Sequence, residues 1–306
     1  MIKNLLKIAF RNFKKDKWYT LLNTLGLTIG ITFSLFLIFY IRNEITYDRY
    51  NKNADRICSM WADSQERDKN TDWTLTQAPL AATLKKDYPE VEESARFMSR
   101  ERTLFKNGEN NFYENKVYYA DSTVFKIFTF PFLQGNPAHA LTEPNSIVLT
   151  KTLADKYFGA NQPAVGKTLR TVYDVYKVTG VIEDVPQNSH LRFDMLISWS
   201  SIPKNQYGGE GNWGNFNNFT YVLLKPGTSA PAFNKKLVPM YEKYMAPLFA
   251  QFNVKMHYGV QPITEIHLHS KLEHEPEELG SMSYVWIFSA IAFFLILIAG
   301  INYMNL

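Results

Sequence analysis

The residues that could do chemistry are few, and their spacing does not complete the chemistry they suggest. His267 and His269 stand two apart in the stretch IHLHS. On a strand, residues two apart share a face, so the pair could bind zinc with His257, His274 or Glu275 as a third ligand. Neither an HExxH motif nor a cysteine partner accompanies them. The reading taken is a solvated strand face without a metal. Gly166-Lys167-Thr168 copies the end of a phosphate-binding loop, but that loop needs a glycine five residues before Gly166, where Asn161 stands. It reads as a turn into a strand. Cys58 is the single cysteine, which excludes an intrachain disulfide and fits a small buried residue in a strand. No G-x-S-x-G elbow marks a hydrolase. Asn218-Phe219-Thr220 fits a glycosylation sequon, a pattern frequent by chance. The sequence therefore offers no catalytic, cofactor-binding or metal set.

Two apolar runs organise the chain instead. Leu21 to Ile41 carries no charge, and at 1.5 Å rise per residue a helix of that length spans about 30 Å, the thickness of a bilayer's hydrocarbon core. Trp18 and Tyr19 at its start and Tyr40 at its end suit membrane interfaces. The second run is Tyr284 to Ile301. The chain of 306 residues averages a mean hydropathy of −0.23 with 20% charged residues. The long stretch between the runs is therefore read as a soluble domain with its own core. Lys3, Lys7, Arg11, Lys14, Lys15 and Lys17 face one acid, Asp16, before the first run. The positive-inside rule then puts the N-terminus in the cytoplasm and the soluble domain outside it. The first run exceeds a signal-peptide core and reads as an uncleaved anchor. The expected layout is a cytoplasmic helix over 1–17, a span over 18–42, an extracytoplasmic domain over 43–283 and a second span over 284–306. The net charge of +4 owes much to the N-terminal segment and does not argue for nucleic acid.

Residues 2–17 have Ile2, Leu5, Leu6, Ala9, Phe10 and Phe13 on one helical side and the basic stripe Lys3, Lys7, Arg11 and Lys14 on another. Such a helix lies flat on an anionic leaflet. Within the first span Gly26, Gly30 and Ser34 recur every four residues, a face that lets another helix approach closely.

The soluble stretch alternates strands and helices, an α+β composition. Strands are expected at 54–61, 93–105, 111–119, 146–149, 167–173, 175–183, 192–199, 219–225 and 253–264, the last leading into the two histidines. Asn107-Gly108 signals a hairpin. Helices are expected at 78–87, from a cap at Asp121 or Ser122 to Phe128, from the Thr150 cap to Gly159, and from Ser229 to Phe249 with a kink at Pro239. Trp199, Tyr207, Trp213, Phe216, Phe219 and Tyr221 cluster around the Gly- and Asn-rich loop 203–218. They anchor either a core or a surface that meets a ligand or partner.

Several ordered segments together resemble a known family. MIKNLLKIAFRNFKKDKWYTLLNTLGLTIG and FYIRNEITYDRYNKNADRI at the start are similar to the opening of MacB/FtsX-type ABC transporter permeases, especially those of Bacteroidetes. PITEIHLHS, Gly280-Ser281 and YVWIFSAIAFFLILIAGINYMNL resemble that family's approach to its second span. APLAATLKKDYPEVEESAR, PNSIVLTKTLADKYFG and VTGVIEDVPQNSHLRFDMLIS resemble its periplasmic core domain. The resemblance implies a porter-like βαβ part with an inserted second subdomain, placed roughly at 121–190. It implies a permease dimer in the bacterial inner membrane and a separate cytoplasmic ABC ATPase as partner, because no Walker motif is present. A periplasmic adaptor or substrate protein is a further implied partner. The mechanism it implies is mechanotransmission, in which ATP-driven closure in the cytoplasm moves the helices and with them the periplasmic domain. Family permeases have later spans after a cytoplasmic loop, so a chain stopping at Leu306 is expected to be the N-terminal part of a longer permease. Topology alone also fits a second class, a two-span membrane receptor with an extracytoplasmic ligand-sensing domain.

Overall fold

The computed structural model describes residues 17–66, 69–203, 211–249 and 255–304. The basic stripe of Lys3, Lys7, Arg11 and Lys14 lies outside them, as does Tyr207. The chain forms two compact units, one of Tyr47–Leu279 and one contributed by the chain's two ends.

The end unit begins with helix α1 (Lys17–Ile45). The soluble unit then runs through β1 (Ile57–Glu66), β2 (Lys69–Trp73), β3 (Leu75–Gln77), α2 (Ala78–Asp87), β4 (Val91–Arg100), β5 (Thr103–Asn107), β6 (Asn110–Glu114) and β7 (Val117–Ala120). It continues with α3 (Val124–Ile127), β8 (Phe132–Gly135), β9 (Ser146–Thr150), α4 (Lys151–Phe158), β10 (Thr168–Arg170), β11 (Val175–Ile182) and β12 (Met195–Ser198). It closes with β13 (Phe216–Leu224), α5 (Ala230–Leu237), α6 (Met240–Tyr244), α7 (Ala246–Phe249), β14 (Lys255–Pro262) and α8 (Ile263–His269). Helix α9 (Met282–Met304) returns to the end unit.

The strands make one mixed sheet in the order β14-β1-β13-β4-β7-β12-β9-β11-β10-β5-β6, with β2 on β1, β3 on β13 and β8 on β11. Among the described residues β7 pairs parallel with β12 and β9 with β11, and α4 makes the crossover of a βαβ unit between the latter. Alternation along the strands serves both faces, because both are covered. Ile57, Ala95, Phe97, Leu196, Tyr221 and Leu223 point into one cluster that runs under the middle of the sheet. Their neighbours Cys58, Met60, Val222 and Leu224 point the other way, against Leu80, Leu84, Phe233 and Leu237 of α2 and α5. Farther along that side, Ile147, Leu149, Met195 and Ile197 pack on Leu153 and Tyr157 of α4. Burying each such side chain stabilises the fold by about 1.5–3 kcal/mol.

Local signals set most boundaries. Thr150 Oγ1 accepts from the N–H of Leu153 at 3.4 Å to cap α4, and Gly159, at φ 93°, ends it. Ser229 Oγ accepts from the N–H of Ala232 at 3.4 Å to cap α5. Asn107-Gly108 turns the β5–β6 hairpin, with Gly108 at φ 58°.

Elsewhere the sequence expectation needs correction. The two long strands expected over 93–105 and 111–119 are each broken, at Arg100–Thr103 and Glu114–Val117. The breaks release the β5–β6 hairpin from β4 and β7, so that it joins β10. Asp121 caps no helix; its carboxylate takes Nε and Nη2 of Arg96 at 2.9 and 2.8 Å, because a bidentate pair with a guanidinium outweighs a cap on a backbone N–H. The helix from Ser229 to Phe249 is divided into α5, α6 and α7, with Pro239 between the first two. His267 and His269 lie on α8, not on a strand.

Candidate functional site

The soluble unit is gripped where its chain begins and ends. Asp48 follows the end of α1 by three residues and is fully buried, at φ 59°. Its carboxylate accepts from the backbone N–H of His190 at 3.2 Å and from Ser189 Oγ at 3.2 Å. His190 Nδ1 lies 2.9 Å from Asp48 Oδ1, off the line of a hydrogen bond, so this contact is electrostatic. The other ring nitrogen, Nε2, sits 2.9 Å from Tyr221 Oη. The backbone N–H of Asp48 donates to Asn188 O at 2.8 Å. Tyr50 Oη is 3.1 Å from Ser189 Oγ, and burial pushes its phenol up to about 12. Tyr47 Oη donates to Gln187 O at 3.3 Å, while its ring stacks on His267 with centroids 3.5 Å apart.

The outgoing segment reaches the same loop. Arg192 Nη2 pairs with Glu277, and Arg192 Nη1 donates to Gln187 Oε1 at 2.9 Å. Lys116 adds a second cation 3.8 Å from Glu277. Loop 187–192 thus holds Asp48 through buried hydrogen bonds, Tyr47 and Tyr50 through less buried ones, and residue 277 through a charged pair. A buried carboxylate left without such partners costs several kcal/mol, so the incoming chain has one stable seat here.

The Asp48–His190–Tyr221 line superficially matches a proton relay. Tyr221 is fully buried, and burial holds its phenol well above the ordinary range. Nothing can be attacked there, and the line works as a tie. The histidines of the sequence reading come apart. Residues two apart on a helix point about 200° apart around the axis; His267 is buried under Tyr47, whereas His257 contacts Asp63 at 2.9 Å. Among the described residues no group of three His, Cys, Asp or Glu side chains could hold a metal. Cys58 is buried in β1, and burial pushes its thiol up to about 12. Asn218 of the sequon is buried in β13.

In the end unit, α1 and α9 pack antiparallel. A Cβ on Gly30 would meet Ala299 Cβ at 3.2 Å and Leu295 O at 3.7 Å, and one on Gly26 would meet Asn302 Nδ2 at 3.6 Å. Ser34 is buried and returns its hydroxyl to Gly30 O at 2.7 Å. The facing residues of α9, Val285, Ala292 and Ala299, are buried at seven-residue spacing. Tyr40 meets Phe288 edge to face at 5.3 Å. Both helices are long and apolar enough to cross a membrane.

An α+β sheet domain strung between two membrane-length helices defines a membrane-anchored module. Residues 20–240 match the family model described as the MacB-like periplasmic core domain, and the chain belongs to that family. Its sheet unit is the periplasmic domain of an ABC transporter permease, a class of membrane component and not in general an enzyme. The fold is similar to that of a domain described as part of a permease protein from Porphyromonas gingivalis, at TM-score 0.62 and 24% identity over 78% of this chain and 98% of that one. Weaker similarities join it to the periplasmic region of MacB from Actinobacillus actinomycetemcomitans (TM-score 0.45, 15% identity, 65% of this chain and 87% of that one). The extracellular domain of the noncanonic ABC-type transporter YknZ from Gram-positive bacteria gives TM-score 0.46 and 12% identity, over 67% and 99% of the two chains. Comparison with curated proteins returns no match.

Sequence reasoning missed the tie of Asp48 to His190. The two lie 142 positions apart, a separation that leaves no local pattern. The available signal was polar density: Asp48 and Ser189-His190 are unusually polar for residues that end up buried.

Proposed function

We propose that this chain belongs to a permease subunit that couples ATP hydrolysis by a separate cytoplasmic ABC ATPase to a conformational change of its periplasmic domain. The work done is export or extraction of a substrate such as an antibiotic, a peptide or a lipoprotein. The permease acts as a dimer in the inner membrane, with the N-terminus cytoplasmic and both α1 and α9 crossing the bilayer. A periplasmic adaptor or substrate protein meets the domain on the far side. In this reading Gly26, Gly30 and Ser34 form the packing face on which α1 and α9 move together, and Lys3, Lys7, Arg11 and Lys14 rest on the anionic lipid surface. The insert subdomain, expected at roughly 121–190, carries the α4 side of the sheet.

One observation carries the proposal: the segments that lead in from α1 and out to α9 are both held by loop 187–192. A slack linker would absorb a helix displacement; a buried, hydrogen-bonded seat passes it to the sheet. Orientation is tested first. Tyr173 is 92% exposed, so a Tyr173→Cys variant in intact cells should react with a membrane-impermeant maleimide, against a low background from buried Cys58. Labelling only after the cells are opened would overturn the topology. Coupling is tested by co-purification with the ABC ATPase and by substrate-stimulated ATP turnover, which Asp48→Ala should abolish while leaving basal turnover intact.

A further inference from the structure

The sheet is forked at one place. β4 and β13 pair from Val91↔Leu224 to Phe97↔Phe219, and there the ladder stops. The same register would set Met98, Ser99 and Arg100 opposite Asn218, Asn217 and Phe216. Their backbones pair instead on the outer sides, β4 with β7 as far as Arg100↔Val117 and β13 with β3 as far as Phe216↔Gln77, and across the fork Asn217 Nδ2 donates to Met98 Sδ at 3.3 Å. The wedge between the diverging strands is a groove of about 870 Å³.

Its inner wall on β4 is a strand edge with hydrogen bonds to give. Arg96 turns its backbone to Asp121, donating N–H to Asp121 Oδ2 at 2.8 Å and accepting from Asp121 N–H at 3.3 Å. Backbone groups alternate sides along a strand, so Ser99 turns its N–H and C=O into the groove. Phe216, Phe219, Tyr118 and Tyr119 line it with aromatic surface, and Glu275 reaches it from the outgoing segment. Glu275 Oε1 accepts from Ser270 Oγ at 2.5 Å, but its Oε2 is buried with no hydrogen-bond partner. Burial holds this carboxyl above the ordinary range. Arg100, the cation of the groove, is already engaged, with Nη1 2.6 Å from Tyr176 Oη and Nε 3.2 Å from Thr103 Oγ1.

We infer that the fork is a docking site for an extended polypeptide segment of a partner protein that carries a basic side chain. The segment adds as a short strand along the Ser99 edge and draws the Glu275 carboxylate, whose Oε2 is buried without a hydrogen-bond partner, out to its ammonium or guanidinium group. About three residues can engage, because the unpaired edge runs three residues, roughly 10 Å at 3.3 Å per residue. Strand addition supplies the main-chain hydrogen bonds, and the aromatic walls with Glu275 supply the preference for apolar and basic side chains. A small lipophilic amine would satisfy Glu275 and the rings but would leave the strand edge unused, which separates it from a peptide. The inference is independent of ATPase coupling.

The probes are a fluorescent capped peptide of alternating Val and Lys, its Val-Glu counterpart, a backbone N-methylated Val-Lys peptide, and benzylamine. Binding to the full chain in detergent is read by anisotropy. The Val-Lys peptide should bind at least tenfold tighter than the other three, and Glu275→Gln should weaken it at least tenfold while melting no lower than the parent protein at neutral pH. A Ser99→Pro variant should lose binding as well; if that variant fails to fold, the N-methylated peptide alone tests the strand edge. Equal binding of the N-methylated peptide or of benzylamine would replace the docking segment by a small-molecule pocket, and equal binding to Glu275→Gln would remove the role of the carboxylate. Either result overturns the inference, as does the absence of Val-Lys binding at millimolar peptide.

Discussion

The end unit and the soluble unit are built inside out with respect to each other. In α1 and α9, Phe33, Phe36, Phe39 and Phe293 face outward, at 59–67% exposure, and the buried positions are mostly small, Gly30, Ser34, Ala292 and Ala299 beside Val285 and Glu44. In the soluble unit large rings such as Phe97, Phe105 and Tyr157 are buried. The difference lies in the solvent. Water drives large apolar side chains inward, and burial then stabilises. Lipid is as apolar as leucine, so helices associate through close backbone approach, which small residues allow. The same side chain therefore has opposite value in the two units.

The largest expected effect breaks this contrast in the soluble unit. Phe97→Ala empties the centre of the core beneath β4, where Tyr118, Phe128, Phe193 and Tyr221 meet its ring. It should cost about 3–5 kcal/mol, seen as a lowered melting transition of the full chain in detergent. Phe36→Ala, on the lipid side, should leave that transition in place.

Asp48→Ala comes next. It strips the acceptor from the His190 N–H and Ser189 Oγ, both buried. A cost of about 1–3 kcal/mol is expected, with increased hydrogen exchange confined first to loop 187–192.

Gly30→Leu should sharpen the contrast from the other side. The added side chain collides with Ala299, so disulfide formation between cysteines placed at positions 26 and 302 should fall severalfold, while the soluble unit melts as before. Leucine tolerated at position 30 with full crosslinking would show that small residues do not govern the helix pair.

The smallest effect concerns pH. Burial raises the Glu275 carboxyl above its ordinary 4.5, so the folded state holds this proton more tightly than the unfolded chain does. Stability from this group is fully present below the ordinary value and is lost as pH rises through the raised one. Glu275→Gln should flatten that slope and raise the melting temperature at neutral pH slightly, measured by paired melts at pH 4 and pH 7.

The parts legible in the sequence were those written locally. The two apolar runs, the Thr150 and Ser229 caps, the Asn107-Gly108 turn and the exact range of α2 depend on neighbours within a few residues. The rest depends on partners far away in the chain. His267 and His269 followed a strand pattern, yet Pro262 ends β14 and α8 begins at Ile263. Asp121 had the composition of a helix cap until Arg96, 25 residues earlier, claimed its carboxylate. The seat of Asp48 on His190 and the fork between β4 and β13 are set by sheet register, which no single stretch encodes.

The central claim is that movement of α1 and α9 reaches the sheet through loop 187–192. Hydrogen exchange of that loop, in the complete permease bound to its ABC ATPase, tests it most directly. Adding ATP should change the protection of residues 187–192 in the parent protein and leave it unchanged in Asp48→Ala. Equal protection with and without ATP in the parent protein would contradict the account.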